Sequence, residues 1–127
     1  MMIAGTAAQK LGDKLALEQE VMMNISDMII QTYMLESTLL KTEKLIAKDG
    51  RAVHEDKVSI CISFMHTAVE EVRKNGKEAL YAILEGDEQK MLLMGLKRFT
   101  KVQPTNLKEH RRAIAKKLIK ANTYCFY

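Results

Sequence analysis

His66 and Glu70 stand four residues apart in a stretch of helical periodicity, so one helix face would bring them together as half of a metal site. A carboxylate-bridged di-metal bundle needs Glu-x-x-His on two helices and two further glutamates. Here the order is reversed and occurs once, so the expected reading is a surface or boundary pair and no metal site is predicted. His54 and His110 fall outside H-E-x-x-H and pair with no cysteine at zinc-ligand spacing. Cys61 lies on an apolar helix line without a neighbouring base, which predicts packing rather than a thiolate nucleophile. Cys125 sits in the terminal Tyr-Cys-Phe-Tyr, a tail that either docks or frays. There is no G-x-S-x-G and no glycine-rich phosphate loop. No catalytic residue, cofactor-binding residue or metal ligand is therefore expected in this chain.

The chemistry that remains is electrostatic. Between Lys97 and Lys120 there are nine Lys or Arg against one acid, Glu109, a window of +8 in a chain whose net charge is +4. Lys108, Arg111, Arg112, Lys116, Lys117 and Lys120 are the candidate contacts to an anionic surface or an acidic partner, the alternative being a solvated face or a seat for acidic helices. Nucleic acid is the least favoured partner, because Phe99, Tyr124, Phe126 and Tyr127 are not interleaved with the cations. Nine methionines offer an adaptable groove, although such residues more often fill core gaps.

These residues need helices to position them. Between Gly12 and Gly50 the chain has neither glycine nor proline, and its apolar residues keep helical spacing. Leu17, Val21, Ile25, Met28, Leu35, Leu39 and Ile46, with Thr32 and Thr42, are the expected inner line; Glu20, Asn24, Asp27, Gln31, Thr38 and Lys41 are the expected outer one. A second long helix carries Val58, Cys61, Ile62, Met65, Ala68, Val69, Val72, Gly76, Leu80 and Ile83. Asn75-Gly76 could turn the chain there, but the apolar register continues across it, which favours one helix with Gly76 at a close contact. A shorter helix should bury Leu92, Leu96 and Phe99, and a last one, opened by an Asn106–Glu109 capping box, should bury Leu107, Ile114 and Leu118.

The expected fold is all-α: an antiparallel helical bundle of about four helices, two long and two shorter. Residues 1–127 form a single helical domain with helices over 15–48, 55–84, 88–100 and 106–121. Residues 1–14 read as the end of a truncated helix plus a turn. At 47% hydrophobic and 28% charged the composition suits a soluble domain, and two isolated cysteines suit a reducing compartment. A cytoplasmic protein, peripheral to the inner membrane at most, is the expectation.

Along the first long helix Glu18-Gln19, Asp27 and Tyr33 keep the spacing E-Q-x7-D-x5-Y, within NISDMIIQTYMLESTLLKTEKLI, and His54-Glu55 opens the next helix. From Leu15 to Leu118 this resembles the extra C-terminal region of very-long-chain-type acyl-CoA dehydrogenases, and bacterial members above all. The resemblance implies a non-catalytic accessory bundle of an FAD-dependent oxidoreductase of fatty-acid β-oxidation. FAD and the catalytic glutamate belong to an upstream core, and nothing here matches them. The implied partners are that core, a homodimer mate and an anionic membrane surface, with the uncharged faces of the two long helices against the core. Two rivals stand beside it. One is a free-standing helical adaptor that binds a partner helix or acidic surface; the other is a small bundle enzyme using His66 and Glu70.

Overall fold

The computed structural model describes Met1–Tyr127 throughout. Every regular element is helical. They are α1 (Met2–Leu11), α2 (Gln19–Asp49), α3 (Glu55–Ile83), α4 (Gly86–Phe99) and α5 (Leu107–Ala121), with 3-10 turns at Gly12–Leu17 and Ala52–His54. The opening segment thus forms a fifth helix, because Ile3 and Ala7 bury one face of it despite Gly5. The long helix begins at Gln19 rather than Leu15, since positive φ at Gly12 starts a separate 3-10 run that lasts to Leu17. Gly50 ends α2 at φ 88°, and its N–H is donated to the Ile46 carbonyl. No helix is long and apolar enough to cross a membrane.

The chain divides into two compact units, Met1–Thr32 with Val69–Val102, and Tyr33–Ala68 with Gln103–Tyr127. The core of the first is aliphatic: Ile3, Ala7, Val21, Ala79, Leu80, Leu84 and Leu96. α3 runs unbroken through Asn75-Gly76, because a turn there would expose Ala79 and Leu80, which the core buries completely. A Cβ on Gly76 would lie 2.9 Å from Leu96 Cδ2 and 3.1 Å from Ile3 Cδ1, so α1 and α4 both press on this position. Phe99, expected inside, is 80% exposed; Thr100 is buried instead and donates its hydroxyl to the Leu96 carbonyl. Leu17 is 81% exposed, because the 3-10 run takes it off the helical line.

The second unit has buried polar groups of its own. Thr42 and His54 are inside with Ala68 and Phe126, and His54 Nε2 lies 2.9 Å from Asp49 Oδ2. The C-terminal tail docks rather than frays: Phe126 is buried, and the ring of Tyr124 meets it edge-on at 5.9 Å. α5 starts at Leu107 behind Asn106, but no side chain caps it. Glu109 N–H reaches only the Asn106 backbone carbonyl, at 3.3 Å, so the expected capping box does not form. Leu118, expected inside, is 37% exposed, and Lys117 shares the half-buried side of α5 with Leu107, His110 and Ile114.

Candidate interaction surfaces

The buried line of α2 runs Val21, Ile25, Met28, Gln31, Leu35, Thr38, Thr42 and Leu45. Its steps are of three or four residues, close to the 3.5-residue repeat of a helix whose seam keeps facing its neighbours. A strict 3.6-residue wheel misplaces several residues over so long a helix. Asn24, Gln31 and Thr38, expected outside, turn inward, and Leu39, expected inside, is exposed. Thr38 and Thr42 satisfy their hydroxyls by donating to the Met34 and Thr38 carbonyls, both at 2.8 Å.

The opposite side of α2 is the larger surprise. Met22, Met23, Ile29, Ile30, Tyr33 and Leu40 are all exposed, Met23 by 65% and Tyr33 by 71%. With Ser26 and Ser37 they recur at spacings of three and four, so one uncharged stripe covers about 27 Å of helix at 1.5 Å per residue. Asp27, Glu36 and Lys41 fall to its sides. Ala16, Gln19, Met22, Met23, Ser26 and Asp27 line an open cleft of about 400 Å³ at its N-terminal end. α3 offers no such stripe: Tyr81 is its one exposed large hydrophobic residue.

α5 carries the predicted cations. Lys108, Arg111, Arg112, Lys116 and Lys120 are exposed and outside every ion pair. Lys117 is not part of that surface. Its Nζ donates to Asp56 Oδ2 at 2.5 Å and stands 5.5 Å above the Phe126 ring. Burial pushes the Asp56 carboxyl up, but hydrogen bonds and charge from Lys117 and Lys57 outweigh it and hold the group below its ordinary value. Sequence reasoning missed Asp56, whose only signal was an acid in the first turn of α3.

The side chains singled out for chemistry do not assemble into a site, and His66 Nε2 is buried without a hydrogen-bond partner. Glu70 accepts from Arg73 Nη1 at 2.7 Å, and no three His, Cys, Asp or Glu side chains assemble as a metal would need. His110 Nδ1 lies 3.0 Å from Ser59 Oγ. Burial and the nearby Glu43 charge push the Cys61 thiol up, away from a reactive thiolate.

The model of the acyl-CoA dehydrogenase C-terminal domain family matches residues 1–98, more than half of the chain. The chain belongs to that family. It is 37% identical over 121 residues to a probable acyl-CoA dehydrogenase of Bacillus subtilis (strain 168), covering 95% of this chain and 20% of the relative. The crystal structure of an acyl-CoA dehydrogenase complexed with FAD from Bacillus anthracis superposes with a TM-score of 0.94. Its sequence identity is 37%, over 98% of this chain and 22% of that one. The chain therefore spans about a fifth of the length of the relatives it matches. α5 lies beyond the residues that the family model matches but within the reach of the structural likeness. Of the residues that carried the sequence resemblance, Gln19, Asp27 and Tyr33 are exposed on α2, and Gln19 and Asp27 border the uncharged stripe in the cleft. In this acyl-CoA dehydrogenase C-terminal domain the legible motif marks an outer surface.

Proposed function

We propose that this chain is a non-catalytic accessory domain of an FAD-dependent acyl-CoA dehydrogenase of fatty-acid β-oxidation. Its role is to support the enzyme's quaternary arrangement by seating the outer face of α2 on the dehydrogenase core. The observation that carries this reading is the uncharged stripe from Met22 to Leu40, since contiguous apolar surface on a soluble domain marks an interface. The small share of the relatives' length that the chain covers supplies the candidate occupant. FAD belongs, on this reading, to the core; the clefts described in this chain are open to solvent.

The test pairs the chain with the dehydrogenase core from its own organism, with association read by sedimentation. Co-sedimentation lost on Ile30→Glu supports the docking. A chain that ignores the core and binds an isolated amphipathic helix supports the adaptor instead.

A second role is carried by a separate observation, the five exposed cations of α5. They suit an anionic membrane surface, at about 1 kcal/mol per basic residue near the lipid. Vesicles containing phosphatidylglycerol should retain the chain at low salt and release it as salt rises. Equal retention on neutral vesicles contradicts this role.

A further inference from the structure

In the first unit, Arg73, Lys77 and Tyr81 recur every fourth residue on α3, and Leu93, Lys97 and Lys101 do the same along α4 and just past its end. Both rows line one open cleft of about 570 Å³, a size suited to a small organic ligand. Four of the lining side chains are cationic and none is acidic.

The cations play two parts. Arg73 is anchored: Nε donates to Thr100 Oγ1 at 3.1 Å, Nη2 donates to the Thr100 carbonyl, and Nη1 donates to Glu70 at 2.7 Å on the rim. Thr100 is itself buried, so the guanidinium forms a fixed wall. Lys77, Lys97 and Lys101 are exposed and belong to no ion pair, whereas Lys10, Arg51, Lys57, Lys90 and Lys117 each face a carboxylate. Like charges gathered in one cleft raise the energy of the folded chain, and a multivalent anion relieves it. Beside them the exposed Tyr81 and Met94 give the cleft an apolar wall.

We propose that this cleft binds an organic phosphate or diphosphate ester. The anionic head lies among Lys77, Lys97 and Lys101 with Arg73 behind, and the apolar or aromatic body rests on Tyr81 and Met94. Ammonium groups with rotatable donors suit the several oxygens of a phosphate dianion better than a single planar carboxylate. The proposal uses no residue of the α2 stripe, so it stands or falls apart from docking.

Calorimetric titration of the 127-residue chain at low salt tests it, with adenosine diphosphate and inorganic pyrophosphate as probes. Adenosine diphosphate should bind at submillimolar concentration, more tightly than pyrophosphate, and less well as salt rises. Lys77→Gln with Lys97→Gln should weaken both probes by about tenfold or more, as expected for lost charge-assisted hydrogen bonds. Tyr81→Ala should weaken adenosine diphosphate alone, and Lys48→Gln, at an exposed lysine near the end of α2 and outside the cleft, should change neither. Unchanged thermal melting of these surface variants keeps the reading clean. Absence of binding by both probes, or indifference to the paired lysine change, overturns the proposal. So does attachment to phosphatidylglycerol vesicles without binding of either soluble probe, which would assign the cations to a lipid surface.

Discussion

Asp56 shows how a single side chain fixes the start of α3. Its carboxylate is almost fully covered, accepts from Lys117 and Lys57, and leaves Oδ1 without a partner. Asp56→Asn keeps the shape and removes the charge, so chemical denaturation at neutral pH should show a loss of about 2 kcal/mol, in the range of hydrogen bonds to charged groups. The folded-state value lies below the ordinary 3.8, so this stabilisation is present above pH 3.8 and is lost as pH falls through the lower folded value. The wild type's advantage over the Asn variant should therefore vanish in acid; one that persists there would assign it to packing. None of this was legible in the sequence. Lys117 was one of six similar cations, and only the fold brings it to a partner 61 positions away. By contrast, the apolar line predicted an unreactive Cys61, which is half-buried with its thiol pushed up.

At the scale of elements, periodicity placed the long helices well and their flanks less well. Gly76 was legible as a close contact because the apolar register of α3 crosses it without a break. Gly76→Ala sets a gain in helix propensity of about 1 kcal/mol against a clash with Leu96, and should be near neutral. Gly76→Val adds β-branched bulk in the same place and should destabilise by about 2 kcal/mol in urea titration. A neutral Val variant would show that α1 and α4 yield easily. Phe99 and Leu118 were misplaced because, near a helix end, a neighbouring residue can take the inward place. Thr100 buries itself by donating to Leu96, and Lys117, its side chain still 40% exposed, turns toward Asp56. The outer stripe of α2 was illegible because its apolar residues merge with the inner ones into a single hydrophobic run, and periodicity alone does not say which line is covered. Changing that stripe should leave the chain's own stability alone. Ile30→Glu should change its unfolding free energy by no more than about 0.5 kcal/mol, as for an exposed site; a large loss would mean that the face is packed.

For the molecule as a whole, helix lengths and the E-Q-x7-D-x5-Y pattern sufficed to reach the acyl-CoA dehydrogenase C-terminal domain family, which the family model and both Bacillus relatives show. What the sequence withheld was the distribution of surface: a bare apolar stripe on α2, cations on α5, and a cationic cleft in the first unit. Such a surface suits a part of a larger assembly better than an enzyme working alone. The most direct measurement is sedimentation of the chain with the dehydrogenase core from the same organism, wild type beside Ile30→Glu. The account predicts one complex for the wild type and separate species for the variant, since a buried unpaired carboxylate costs several kcal/mol. Separate species for the wild type, or an undisturbed complex with the variant, would contradict it.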